Sequence, residues 1–386
     1  MEQRKVVKAI NKESFIWLIG ISAFFMLIGK KMGTANMFKT MMNTGHDLII
    51  NTVFLIMAIA VLAGAFGAVL SEFGIVALIN KILSPLMKPL YDLPGAASVG
   101  ILTTYLSDNP AILSLANDKG FTKFFKKYQL PALTNLGTSY GMGLVVTTFM
   151  ISQAGNGESY FIPAIIGNIG AIIGSIVSVR LMLKYTKKVY GTEEMVCSSS
   201  DTDYDVLKYR EVRKGSSFQR LLEASLDGGK NGVDTGLSII PGVIIICTLV
   251  MMLTNGPSDS GAYTGAAYEG VAFLPWLGEK LSFIIKPLLG FQRPEAIAFP
   301  ITSLGAVGAA IGLVPKFIKT GVAGKNEIAV FTAMGMCWSG YLSTHVAMMD
   351  ALNCRELTNK AILSHTIGGL AAGISAHFIY MLVSLF

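Results

Sequence analysis

The stretch PGAASVGILTTYLSDNPAILSLA, residues Pro94 to Ala116, decides the fold. It is apolar enough to enter a bilayer, yet Thr103-Thr104-Tyr105 and then Ser107-Asp108-Asn109-Pro110 interrupt it in the middle. A spanning helix needs about 20 mostly apolar residues, whereas this segment offers two arms of roughly ten to thirteen. At about 1.5 Å per residue each arm reaches ~15–20 Å, half a membrane. Asn109 before Pro110 reads as an N-cap followed by a first-turn proline, so a new helix is expected to start there. The segment reads as a re-entrant hairpin with its polar tip near the midplane, where non-helical backbone must be covered by protein or line a cavity. The alternative is a single spanning helix kinked at Pro110.

The chain repeats the pattern. LSPLMKPLYDLPGAASVGILTTYLSDNPAI (Leu83 to Ile112) is echoed by LSFIIKPLLGFQRPEAIAFPITSLGAVGAAI (Leu281 to Ile311). Lys88-Pro89 matches Lys286-Pro287, Pro94 matches Pro294 after a two-residue shift, and Thr302-Ser303-Leu304-Gly305 interrupts the second copy. Broken hydrophobic segments at corresponding places in two halves point to a transporter's binding site.

Composition agrees with a membrane location. Of 386 residues, 52% are hydrophobic and 14% charged, against about 25% charged in soluble domains; the mean hydropathy is +0.56. The chain is expected to be an all-α polytopic membrane protein. The net charge of +7 reads as orientation signal, because no basic cluster interleaved with aromatics suggests a nucleic-acid face. Cys197, Cys247, Cys337 and Cys354 are scattered, which indicates neither a zinc site nor a disulfide framework.

In chain order, residues 1–46 read as a basic N-terminus, a signal-anchor helix over Ser14 to Gly29, and a Met-rich loop from Lys31 to His46. Residues 47–183 form the first repeat: a span from Asp47, an amphipathic interfacial helix over Glu72 to Leu93, the hairpin, a span broken over Asn135 to Gly143, and a last span. Residues 184–231 read as a cytoplasmic linker containing Ser198-Ser199-Ser200, a solvated stretch that also offers phosphorylation sites. Residues 232–386 repeat the unit, with an amphipathic helix over Val271 to Gly290, a hairpin over Arg293 to Lys316, a span broken over Met334 to Tyr341, and a final helix. With a cytoplasmic N-terminus, 22 of the 31 Lys and Arg residues fall inside and nine outside. The first hairpin then enters from inside and the second from outside, giving two inverted-topology repeats.

These residues resemble the Gate, or nucleoside-recognition, domain. It is shared by concentrative nucleoside transporters, the membrane part of bacterial ferrous-iron transporters and spore-maturation membrane proteins. The two halves resemble two-chain bacterial Gate proteins, and the resemblance covers roughly Asp47 to Phe386. GFQRPEAIAFPITSLGAVGAA (Gly290 to Ala310) and the break from Gly335 to Ser343 carry it most specifically. The resemblance implies a solute path between two hairpin tips and two unwound helices, with acidic and amide residues holding base and ribose. The second tip, Leu304 to Gly308, departs from that pattern by being nearly bare.

Candidate substrate-binding residues follow. The first tip offers Thr103, Thr104, Ser107, Asp108 and Asn109. An intramembrane carboxylate is costly unless paired or hydrated, so Asp108 is either functional or a cap. The first broken helix offers Asn135, Thr138 and Ser139, beside carbonyls able to hold a sodium ion; glycine–serine helix packing is the plainer reading. Glu295 follows Pro294 at a helix start, where the dipole favours a carboxylate. Thr302 and Ser303 form the second tip. Trp338, Ser339, Tyr341 and His345 lie on the second broken helix, the aromatics suited either to stacking on a planar ring or to packing.

The chain is expected to be a secondary transporter of a small organic solute, nucleoside-like or another small polar metabolite, coupled to sodium or protons by alternating access. The absence of Walker, HExxH and GxSxG motifs argues against an enzyme and against nucleotide hydrolysis. No cofactor and no resident metal are expected; the partners are solute, lipid and, in a trimer or dimer, further copies. The expected location is the bacterial cytoplasmic membrane. The alternatives are a membrane assembly or sporulation factor without transport, and a divalent-metal permease using Cys337 and His345. The sequence leaves solute, coupling ion and direction open.

Overall fold

The computed structural model describes residues 7–109, 111–153, 158–196, 208–258 and 260–385. Pro110 and the serine run at 198–200 lie outside the described residues. Among the described residues the regular elements are helices, and no strand is present. Five are long and apolar enough to cross a membrane: Lys12–Met32 (α1), Thr34–Glu72 (α2), Phe161–Tyr190, Ser217–Thr254 and Arg355–Val383. The protein is therefore an all-α, multi-pass membrane protein.

Helix α1 starts at a capping box, in which Asn11 accepts from the Ser14 N–H at 3.2 Å. Most of its side chains are exposed on the protein, as suits a helix bathed in lipid. Gly33, at φ 82°, ends it and turns the chain. The Met-rich segment expected to be an external loop is instead helical over Thr34–Asp47 and runs directly into the span, with a π-turn at Leu48–Val53. Its polar residues misled the reading because their partners lie far along the chain. Asn36 Nδ2 donates to the Tyr263 carbonyl at 2.9 Å, and Asn43 Nδ2 to that of Gly265 at 2.8 Å. Thr44 Oγ1 accepts from the Tyr268 N–H at 2.9 Å.

After α2 come an amphipathic helix, Ile75–Tyr91 (α3), and the first hairpin, whose arms are Ala97–Leu106 (α4) and Ala111–Ala116 (α5). The second arm is shorter than the sequence suggested. The expected broken span follows as Ala132–Thr138 (α6) and Gly143–Ser152 (α7), interrupted at Ser139 to Met142, and then Phe161–Tyr190 (α8). Helix α8 extends to Tyr190, and Ser217–Thr254 (α9) begins at a Ser216–Gln219 capping box. The expected linker over 184–231 thus shrinks to 191–216, because its charged ends are the projecting ends of two long helices.

From α9 onward the element order recurs. Helix α9 carries its own π-turn at Val243–Cys247. The amphipathic segment splits at Leu281 into Phe273–Lys280 (α10) and Ser282–Leu289 (α11). The second hairpin is a 3₁₀ turn at Pro294–Ile297 leading into Ala298–Ser303 (α12), then Val307–Lys319 (α13). The second broken span is Lys325–Cys337 (α14) and Tyr341–Ala351 (α15), and Thr358–Val383 (α16) closes the chain.

The backbone records the recurrence closely. Three pairs of left-handed residues lie 198 positions apart: Gly74 with Ala272, Asp92 with Gly290, and Met142 with Gly340. The first pair opens the amphipathic helices, the second closes them, and the third restarts the broken helices. Left-handed backbone is costly for a residue with a side chain, so Met142 and Ala272 hold conformations set by tertiary structure. Corresponding long helices also pack against each other antiparallel. On α8 and α16, Gly170 meets Ala372 while Gly174 meets Gly368; on α2 and α9, Gly64 meets Gly228 and Ala60 meets Gly232. A Cβ on Gly64, Gly174 or Gly228 would run into the facing carbonyl, so these backbones touch directly.

Candidate functional site

The tip of the first hairpin is tied to the break in the second broken helix. Asn109, 3% exposed, donates its Nδ2 to the Ser339 carbonyl at 2.9 Å, and the Ser339 hydroxyl donates to Asn109 Oδ1 at 3.1 Å. The Thr138 carbonyl, at the end of α6, is a second acceptor for that hydroxyl at 3.5 Å. Gly141, in the first break, faces the same point: a Cβ there would overlap the Asn109 amide oxygen and crowd the Ser339 hydroxyl. Gly141 and Ser339 are themselves 198 positions apart, so equivalent residues of the two breaks meet with the hairpin tip between them. The expected cap role of Asn109 is therefore corrected, since its side chain crosses to the other half. Asp108 serves the local turn, accepting from the Asn109 N–H at 2.7 Å.

A second polar cluster lies behind this crossing. Asn135 Nδ2 donates to Ser178 Oγ and to the Ala361 carbonyl, both at 2.9 Å. His345 Nδ1 lies 2.7 Å from the Tyr341 carbonyl, which requires the proton on that nitrogen; its Nε2 lies 3.4 Å from Thr138 Oγ1. His365 Nδ1 lies 2.9 Å from Ser178 Oγ, and the two imidazole rings are 4.6 Å apart. Asn135 Oδ1, His365 Nε2, Thr134 Oγ1 and Ser364 Oγ are buried with no hydrogen-bond partner among the described residues. The sequence reading did not single out Ser178 or His365, although an ionisable residue inside an apolar helix is a signal in itself.

The remaining candidates are not brought to the crossing. The hydroxyls of Thr103, Thr104, Thr302 and Ser303 bond to carbonyls one turn back in their own helices, as does Ser139 to Asn135. Trp338 and Tyr341 are buried against α16, with Trp338 Nε1 donating to the His365 carbonyl at 3.3 Å and Tyr341 bonded to Thr366. They form no open stacking platform. Glu295 sits at the start of the second hairpin rather than its tip, paired with Arg293 at 3.2 Å. Cys337 is buried beside the Ala171 carbonyl. Among the described residues no three His, Cys, Asp or Glu side chains converge as metal ligands.

Two adjoining cavities approach the first tip. One, of about 180 Å³, lies between α2, α4 and α9 and is lined by Thr103, Ser107, Asn231 and Thr235. The other, of about 440 Å³, shares Ala68, Ser71 and Val76 with it and opens under the chain segment 208–213. Glu72 fastens that segment: its 4%-exposed carboxylate takes Arg213 Nη1 at 2.8 Å and Arg220 Nε at 2.7 Å, while Arg213 Nη2 also holds Asp227 at 2.8 Å. Arg220 lies over the Phe73 ring, completing the clasp.

No protein-family model and no curated protein sequence matches the chain. Among solved structures, the chain is similar to CNTnw, a concentrative nucleoside transporter, in an inward-facing substrate-bound state. The TM-score is 0.56 and the identity 14%, covering 84% of this chain and 74% of CNTnw. A doubly substituted CNTnw variant in an outward-facing state gives a TM-score of 0.55 at 15% identity, covering 96% and 86%. Another variant, in an intermediate state, gives 0.54 at 14%, covering 83% and 75%. The chain therefore shares the fold of CNTnw.

Proposed function

We propose that this protein is a secondary active transporter of a small organic solute, nucleoside- or nucleobase-like or another small polar metabolite. It works by ion-coupled alternating access between two inverted halves. The observation that carries this reading is the bond pair between Asn109 and Ser339, which holds a half-membrane hairpin against an unwound helix of the other half. Such a contact joins polar backbone and side chains where a bilayer otherwise forbids them, and it can exchange for solute or ion. The equal spacing of left-handed residues and the antiparallel glycine contacts support the inversion.

The two cavities would form the approach from the linker side. The inner one, at about 180 Å³, is below the ~300–1,000 Å³ usual for drug-sized ligands, which favours a small solute. Sodium or a proton would drive the cycle. The N-terminus and linker would face the cytoplasm of a bacterial cell, and the chain would assemble as a trimer or dimer.

The test is a thermal-shift panel on the detergent-purified chain, with nucleosides, nucleobases, amino acids, dipeptides and divalent metals, with and without sodium and at several pH values. An organic hit that is lost in Asp108→Ala or Asn109→Ala supports the reading. Stabilisation by metals alone, abolished by Cys337→Ala, would replace it with a metal permease.

A further inference from the structure

We infer that the protein carries a binding site for one anionic phospholipid, between the amphipathic helix α3 and helix α8, separate from the solute path. A groove of about 280 Å³ runs there, walled by Leu83, Leu86, Leu90, Ile101, Leu102 and Ile172. Its floor contains Tyr91, Tyr105, Tyr140 and Asn168, but their polar atoms are already used. Tyr91 bonds Tyr140 at 2.7 Å and Ser175 at 2.6 Å. Tyr105 donates to Asn168 Oδ1 at 3.0 Å, and Asn168 Nδ2 donates to the Ala164 carbonyl at 2.8 Å. With no hydrogen-bonding group left to offer, the groove suits hydrocarbon and excludes a polar solute.

The end of the groove has the opposite character. Past Leu90, Arg180 donates Nε to the Leu90 carbonyl at 2.8 Å and Nη2 to that of Pro89 at 2.5 Å. Lys88 and Lys187 both reach Asp92 at 2.6 Å. Two cations thus pair with one carboxylate while Arg180 adds a third positive charge beside Leu90, and Lys88 is 70% exposed at its side chain. Arg180 lies eight residues beyond Ile172 on α8, ~12 Å along the axis. That is the separation between a headgroup at the interface and the middle of its acyl chain in a leaflet about 15 Å deep. An excess of positive charge at one end and a dry apolar groove at the other describe a phosphate and a fatty-acyl tail.

The experiment is native mass spectrometry of the full chain released from mild detergent, after incubation with phosphatidylglycerol, with phosphatidylcholine of the same chains, or with glycerol 3-phosphate. Wild type is expected to retain one phosphatidylglycerol in preference to phosphatidylcholine and to ignore glycerol 3-phosphate. Ile172→Trp fills the groove and should abolish retention, while Lys88→Gln should erase the preference between the two lipids. Leu86→Trp, at a residue 45% exposed, repeats the groove test should Ile172→Trp lower the lipid-free melting temperature. Equal retention of both lipids by wild type, undiminished phosphatidylglycerol on either tryptophan variant, or binding of glycerol 3-phosphate alone would each overturn the site.

Discussion

The crossing between Asn109 and Ser339 makes the most exposed prediction, because its energetic signature is calculable. Asn109→Ala removes two hydrogen bonds, strands the Ser339 carbonyl in a buried place and leaves its hydroxyl only the long bond to the Thr138 carbonyl. At about 1 kcal/mol per net bond, plus the cost of the stranded groups, the loss should be ~2–4 kcal/mol. Ser339→Ala removes one bond and leaves Asn109 Oδ1 unpaired while Nδ2 keeps its carbonyl, a loss of ~1–2 kcal/mol. The double variant no longer contains the stranded pair, so its loss should fall short of the sum by about 1 kcal/mol. Equilibrium unfolding in mixed micelles, run on the four proteins of the cycle, measures this directly. Thr103→Ala is the control, since among the described residues its hydroxyl bonds only the Val99 carbonyl of its own helix. Strict additivity of the two losses, within ~0.3–0.5 kcal/mol, would mean that the two side chains do not meet, and the proposed site would lose its foundation.

Three further outcomes are expected. Gly141→Ala should cost ~1–3 kcal/mol in the same unfolding assay by forcing the crossing apart, whereas Gly20→Ala, with nothing within 4 Å, should cost nothing. Glu72→Gln should loosen the segment 208–213, so trypsin should cleave at Lys208, Arg210 and Arg213 several-fold faster, as read by gel. Glu269 lies in the loop before α10; burial pulls its carboxyl upward, but bonds from Thr264 and Gly265 outweigh this and hold it below the usual value. A depressed folded-state value contributes stability above the unfolded-state value and loses it as pH falls through the folded one. Melting temperature should therefore drop on acidification below about pH 4.5, more steeply than in Glu269→Gln.

How legible each element was depended on how local its cause was. The hairpins and breaks were readable because glycine, serine, proline and asparagine interrupt apolar runs at the positions where helices stop. The matched Lys88-Pro89 and Lys286-Pro287 located the recurrence, and the backbone agrees at Asp92 and Gly290. The segment 34–47 was misread because its helix is held by a loop more than 200 residues away. Asn109 was named as a tip candidate, but its partner lies 230 residues on, so nothing local pointed to Ser339. Glu295 lies at the expected helix start, and its pairing with Arg293, two residues before it, was legible in the sequence but not drawn from it.

Under the proposed alternating access, the crossing also bears on which way the protein rests. In a strictly two-fold machine, the states open to either side would be exchanges of the same contacts and equal in free energy. This chain departs from that equality at its hairpin tips. The first hairpin ends in an amide that grips the opposite half, while the second ends in Leu304, Gly305, Ala306 and Val307, which carry no polar side chain. Any standing preference for one side of the membrane would be written into that difference. Moving an asparagine from one tip to the other would be a way to reverse it.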